Sequence, residues 1–369
     1  MRTLRRVAIG LAAVVALLFV FGRPGTWVQA ALVMWDIAAG GAPTLWQEVT
    51  GAPEEHPARW DSGEGDLYLP AGGARAAMVL VPGAAALGRD EPRLKALART
   101  FARAGFVVLV PELPEVRDLA LSRADGGRVA SALRQLGKWQ PDVPLGVAAI
   151  SYAVAPAVIA VLEGDLTSGV AFLASIGGYH DITAAIRFIT TGAFRPMGDS
   201  REFRRVPNGY GRWAFLHANA GRLDSAADAH PLQEIARRRF HDADADIAPL
   251  TASLGAQGRA VLAVVDNRDP DAVAPLIAAL PERVRQEIDG LNLALYDLSR
   301  LRGHLILVHG HGDPLVPYSE SQSLAVSATG ARVSLFLMDD IGHVEFNAVS
   351  PGNAWMMWRA IVALLSERR

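Results

Sequence analysis

Four uncharged, apolar runs constrain this chain more than any other feature: Ala76–Val81, Phe106–Val110, Leu145–Ile150 and Val170–Ile176. Pro82-Gly83 closes the first, Pro111 the second and Gly177-Gly178 the fourth. Short apolar runs bounded by such breakers read as buried strands. Helical patterns separate them, over Pro92–Ala104 with Gly105 behind it, Asp125–Leu136 with Gly137 behind it, and Ala153–Leu162. Strands that are apolar on both faces and alternate with helices predict an α/β chain: a mostly parallel sheet covered by helices on both faces. Leu305–Val308 and Ser334–Met338 resume the strand pattern around a helix at Tyr318–Thr329, and Ala354–Arg368 reads as a last helix.

Between the two sets of strands the pattern changes. Residues 179–302 read as helices, at Ile182–Thr191, Leu232–Phe240, Asp271–Leu280 and Glu282–Ile288, with Ala260–Val265 as the one strand-like run. This is expected to be a mostly helical lid over the carboxyl ends of the strands, dividing the core into 66–178 and 303–369. The aromatic and arginine-rich stretch Phe203–Trp213 reads as a solvated lid loop with a few packed aromatics. Residues 23–65, of which Gly40–Gly65 is rich in Gly, Pro and Glu, read as a connector, and Asp66-Leu-Tyr-Leu-Pro70 as a short strand stopped by proline.

The first 22 residues form a separate unit. Arg2, Arg5 and Arg6 precede Val7–Phe21, a segment with neither charge nor proline. It reads as a hydrophobic helix that is a retained signal anchor, a signal peptide cut after Val28 and Ala30 at positions −3 and −1, or, in the bland reading, a buried first helix. The largely apolar stretch Trp27–Ala39 favours retention. The arginines then stay cytoplasmic, and the rest of the chain lies on the non-cytoplasmic side of a single-pass membrane protein, or is exported after cleavage. Lys plus Arg is 36 against 38 for Asp plus Glu, which removes the electrostatic footprint of a nucleic-acid binder. The chain has no cysteine, which excludes disulfides, zinc–thiolate sites, iron–sulfur clusters and a cysteine nucleophile. There is no Gly-x-Gly-x-x-Gly after a strand and no phosphate-binding loop.

Open parallel sheets carry reactive residues just beyond the carboxyl ends of their strands. Ser151 directly follows the run Leu145–Ile150 and precedes a helix of small residues. Asp313 follows Leu305–Val308 in the glycine-rich turn His309-Gly-His-Gly-Asp313-Pro-Leu-Val-Pro317. His343 follows Ser334–Met338, thirty residues after Asp313. Each has a bland reading: a structural serine, a helix-capping aspartate, a surface histidine. Asp339 and Asp340 are alternative acids by their closeness to His343. His309 and His311 suggest a metal pair, but no carboxylate-rich set accompanies them, so no metal and no organic cofactor is expected.

The order Ser, Asp, His, each after a strand and with an insertion between the first two, resembles that of α/β-hydrolases. His309–Pro317 is similar to that family's acid loop, and Asp66–Pro70 to its first strand. The resemblance covers about Asp66–Arg369. It implies a serine hydrolase, esterase- or lipase-like, that cleaves a carboxylic ester through Ser151, Asp313 and His343 and an acyl-enzyme. It also implies an oxyanion hole from the backbone N–H groups of Ala84 and Tyr152. The implied partner is a small, hydrophobic acyl substrate. Two departures stand out: Ala149 and Ala153 flank Ser151 where the family mostly has glycines, and the oxyanion loop begins Pro82-Gly83 rather than His-Gly. An acyltransferase on the same triad and a catalytically silent binding protein of the same fold are the other readings.

Overall fold

In the computed structural model, residues 24–120, 122–339, 342 and 350–369 are described. Its centre is an eight-stranded sheet built from β1 (Glu54–Trp60), β2 (Gly63–Leu69), β3 (Ala76–Val81), β4 (Phe106–Pro111), β5 (Leu145–Ile150), β6 (Val170–Ile176), β9 (His304–Gly310) and β10 (Arg332–Met338). The spatial order is β1-β2-β4-β3-β5-β6-β9-β10. β1, β2 and β4 pair antiparallel, and every other pairing is parallel. The parallel strands need helical crossovers, which cover both faces of the sheet.

Alternation along each strand divides the core in two. Val79, Val81, Val147, Ala149, Leu173 and Leu307 face α3 (Ala124–Trp139) and α4 (Val154–Glu163). Met78, Leu80, Ala148, Phe172, Ile306 and Phe336 face α1 (Pro24–Ala39), α2 (Pro92–Arg103) and α11 (Pro351–Leu365). Each fully buried large side chain contributes about 1.5–3 kcal/mol relative to exposure, so the double-faced core dominates the stability of this part.

After β6 the chain leaves the sheet. It forms α5 (Ile182–Thr191), a two-stranded ribbon of β7 (Ala193–Phe194) and β8 (Phe203–Arg204), α6 (Gly209–Asn219), α7 (Ala226–His241), α8 (Ala256–Val265) and α9 (Glu282–Gly290), then returns as β9. This region holds its own small core, including Trp213, Leu216, Leu232 and Ile235. α10 (Ser319–Ser327) joins β9 to β10.

Three expectations need correction. The stretch read as a connector contains α1, a short helix at Leu45–Val49 and the edge strand β1, so Asp66–Leu69 belongs to the second strand of the sheet. β1 escaped notice because Glu54, Glu55 and Pro57 give it neither an apolar run nor clean alternation, as suits an edge strand. The strand-like run Ala260–Val265 is the end of helix α8. The Asp228 carboxylate, 1% exposed, accepts the N–H groups of Gly255 at 2.5 Å and Gly258 at 3.0 Å, capping α8 from another helix. Gly137, expected to end a helix, lies inside α3. The expected apolar helix at 1–22 falls on residues 1–23, outside the described residues; among the latter, no helix is long and apolar enough to cross a membrane.

Candidate active site

Registry brings the candidate positions Ser151 and Asp313 and the turn after β3 to one rim. Val81 pairs with Ala149, Ile176 with Val308, and Gly310 with Met338, so β3, β5, β6, β9 and β10 end near a common edge. Ser151 starts immediately past that edge. Ile150 is still extended, and Ser151 then adopts φ +56°, a left-handed conformation that L-residues rarely take. One 3₁₀ turn, Ser151–Ala153, leads into α4. Strain of this kind costs about 1–3 kcal/mol and persists only where the surroundings enforce it.

Here close packing does the enforcing. Ala149 and Ala153 are fully buried. The narrowest approaches fall on glycines of neighbouring strand ends. A Cβ on Gly178, after β6, would stand 2.5 Å from Val154 Cγ2 at the start of α4. A Cβ on Gly83, after β3, would stand 3.2 Å from Ile150 Cγ2. The room that the family resemblance places beside the serine is supplied here from the flanking strands, which is why alanine fits on either side of Ser151.

Ala84 and Tyr152 bracket the same spot. Tyr152 lies in the first turn after β5, where backbone N–H groups lack intrahelical acceptors. Among the described residues no backbone acceptor meets the Ala84 N–H. The Tyr152 ring is fastened at its far end: its hydroxyl accepts from the Ser122 N–H at 3.2 Å and donates to the Ala120 carbonyl at 3.3 Å. Burial holds this phenol well above its ordinary pKa, so it stays neutral.

Asp313 is 2% exposed, in the turn after β9. Its Oδ1 accepts the Leu315 N–H at 2.8 Å and the Val316 N–H at 2.9 Å, and its Oδ2 lies 3.4 Å from His309 Nε2. The Val316 carbonyl, 3.0 Å from the same nitrogen, can only accept, so Nε2 carries hydrogen; Ser321 Oγ stands 2.7 Å from Nδ1. His309 therefore supports the acid loop from within. With both ring nitrogens engaged, it is not a metal ligand, and no metal-holding cluster occurs among the described residues. His311 turns away to Asp339, at 2.6 Å, whose side chain is 79% exposed. Asp339 is thus a surface partner of His311, whereas Asp313 is a buried carboxylate oriented by backbone donors. His343 and the alternative acid Asp340 lie outside the described residues.

Sheet order, the strained serine at the β5–α4 junction and the buried aspartate after β9 invite comparison with solved structures. The acylaminoacyl peptidase of Pyrococcus horikoshii superposes with a TM-score of 0.50 at 12% identity over 86% of this chain. This chain spans 42% of that peptidase. The chain has the α/β-hydrolase fold. A hormone-sensitive lipase from a metagenome library is also similar, with a TM-score of 0.49 and 14% identity, covering 86% of each chain. No protein-family model and no curated protein matches the sequence.

Within this hydrolase fold, the rim opens on a cavity of about 1600 Å³. Gly83, Ala84, Ser151 and Tyr152 line it on the sheet side. Ile186 and Ile189 of α5, Phe215 of α6, Val261 of α8 and Val284 of α9 line it from the inserted region. The cavity continues to Ile37 of α1, Leu94 of α2 and Met357 and Ile361 of α11. Its walls are mostly apolar, with charged groups such as Glu91, Arg117 and Arg212 among them, so it suits a hydrophobic ligand that carries a polar end. Residues of the stretch 203–213 take part: Tyr210 and Arg212 line the cavity, and Trp213 is buried in the small core. Half-burial, then the nearby Arg268 charge, draws the Arg212 pKa down to about 10, which leaves it charged at neutral pH.

One supporting residue gave no sign in the sequence. Glu320 on α10 is 5% exposed and accepts the His180 N–H at 3.1 Å and the Asp181 N–H at 2.7 Å. It ties the helix after the acid loop to the point where the insertion leaves β6. Burial pushes its pKa up to about 7, against the pull of the two N–H donors. A glutamate in the first turn of a helix ordinarily reads as a solvated, dipole-favoured residue; only the packing of Asp181 over it makes it structural.

Proposed function

We propose that this chain is a serine hydrolase that cleaves carboxylic esters with a hydrophobic acyl group. Ser151 Oγ attacks the ester carbonyl carbon and forms the C–O bond of a tetrahedral intermediate. His343 takes the serine proton, and Asp313 holds the imidazole and balances its positive charge. The N–H groups of Ala84 and Tyr152 receive the oxyanion, each such donor being worth about 2.7–4 kcal/mol. Collapse breaks the bond to the leaving alcohol, which takes the proton from His343 and leaves an acyl-enzyme. Water then enters by the same steps in reverse order of groups, releasing the acid and restoring Ser151. In this reading the apolar segment near the N-terminus anchors the protein in a membrane, with the catalytic core on the non-cytoplasmic side.

The observation that carries the proposal is Ser151 itself: a non-glycine residue at φ +56°, at the tip of a central parallel strand, facing a large apolar cavity. A fluorophosphonate probe tests the reading. The wild type is expected to be labelled and Ser151→Ala to be blank, with ester turnover down by about 10⁴-fold or more and the melting temperature maintained. A series of p-nitrophenyl esters of rising chain length should then favour long acyl groups. Equal labelling of both proteins would place the reactive nucleophile elsewhere, and no labelling of the wild type would leave a binding protein on this fold; either result overturns the assignment.

A further inference from the structure

Helix α1 is fastened by its inner side. Asp36, its one charged residue, is 3% exposed and accepts from the hydroxyls of Thr44 and Thr100 and, at 2.9 Å, from Gln47 Nε2. The Trp358 indole N–H donates to the Trp27 carbonyl at 2.9 Å, and Arg368 reaches Gln29 at 2.9 Å. The outer side is of a different character. Gly25, Val28, Ala31 and Trp35 are exposed, and none carries a charge. Val28 is 62% exposed and Trp35 53% exposed, seven residues apart and hence on one helical face. The patch continues through Trp27, edge-on to Trp358, to Trp355, which stacks on Trp358 with centroids 4.8 Å apart and is itself 56% exposed.

An exposed helix face with no charge is costly in water. Here helix α1 begins three residues after the charge-free sequence Val7–Phe21, with Arg23 between them. Tryptophan is the side chain most suited to the water–lipid boundary, where its ring meets acyl chains and its N–H meets headgroups. Helix α1 also forms part of the cavity wall, through Ile37, Ala38 and Ala39. We propose that the outer face of α1, together with Trp355, docks on a lipid bilayer surface and delivers membrane-borne hydrophobic molecules to the cavity that α1 walls. Docking stands independently of the chemistry at Ser151. Hydrolysis of what is delivered rests on the function proposed above.

The full 369-residue chain is mixed with phosphatidylcholine vesicles whose acyl chains carry bromine, a contact quencher of indole fluorescence. Wild-type emission is expected to be quenched, and Trp35→Phe/Trp355→Phe to lose at least half of the quenched fraction. If vesicle flotation persists and the quenched fraction does not fall, the early segment alone holds the bilayer and the proposed face does not. If sedimentation shows a dimer that hides both tryptophans from bromine, the face belongs to a second copy and the proposal is overturned. In a second arm, Trp35→Glu/Trp355→Glu should cut cleavage of a vesicle-embedded long-chain ester at least 10-fold and leave a soluble short-chain ester unaffected. Equal loss on both substrates would overturn delivery. Absence of any esterase activity alongside intact quenching would count against the hydrolase reading and leave docking in place.

Discussion

The serine elbow and the acid loop lie on the same rim but are built by opposite means. Around Asp313 the structure is a mesh of hydrogen bonds: two backbone donors on Oδ1, His309 between Ser321 and Val316, and Glu320 reaching across to His180 and Asp181. Around Ser151 the named constraints are steric: buried Ala149 and Ala153, close-set Gly83 and Gly178, and a left-handed φ. A carboxylate needs fixed donors to hold its charge and direction. A side chain that must project from a strand end needs a strained, tightly packed turn behind it.

This contrast can be broken from either side. The largest effect should come from Asp313→Asn, which keeps the shape and one acceptor but loses the negative charge. Ester turnover is expected to fall by about 10⁴-fold, measured as kcat on a p-nitrophenyl ester; a loss of only a few-fold would mean another acid serves. Next comes the electrostatic cost stored at Glu320. Its folded pKa, about 7, lies above the unfolded value. The folded state therefore holds the proton more tightly, and stability declines as pH rises from about 4.5 to 7, by about 3 kcal/mol for the shift as a whole. Asp125, also raised to about 7 chiefly by burial and then by Glu115, adds a decline of the same sign. Denaturant unfolding of Glu320→Gln should show a distinctly shallower decline over that window, leaving the part due to Asp125. An unchanged slope would mean that the carboxylate is ionised throughout.

The elbow predicts smaller changes of purely steric origin. Gly178→Ala places a methyl group against Val154 and should destabilise by about 1–3 kcal/mol, while lowering probe labelling of Ser151 by shifting the start of α4. Normal labelling with normal stability would show that the elbow is not held from β6. The smallest change in stability is expected for Ser151→Gly. Relief of the positive φ outweighs the added freedom of the unfolded chain, giving about 1 kcal/mol of stabilisation, with activity abolished. A destabilised Ser151→Gly would mean that the serine side chain, rather than the backbone, holds the turn.

The same contrast explains what was legible in advance. Hydrogen-bonded loops announce themselves through particular residue types, so His309–Pro317 was the most specific motif, whereas Ser151, flanked by alanines, was singled out by its place directly after a strand. β1 and α8 show the limit elsewhere. The first is a polar edge strand that the sheet recruits by pairing with β2, and the second is an apolar run made helical by a cap from distant Asp228.

By itself the sequence determined the buried parallel strands, the helices between them and the presence of Ser151 and Asp313 just past strand ends, because these follow from periodicity and breakers among neighbours along the chain. The tertiary structure alone decided which glycines make room for the elbow, whether Ala260–Val265 coils or extends, how tightly Glu320 holds its proton, and that one side of helix α1 walls the cavity while the other stays bare. Those properties depend on groups tens to hundreds of residues apart, and only close packing and the removal of water bring them to act on one another.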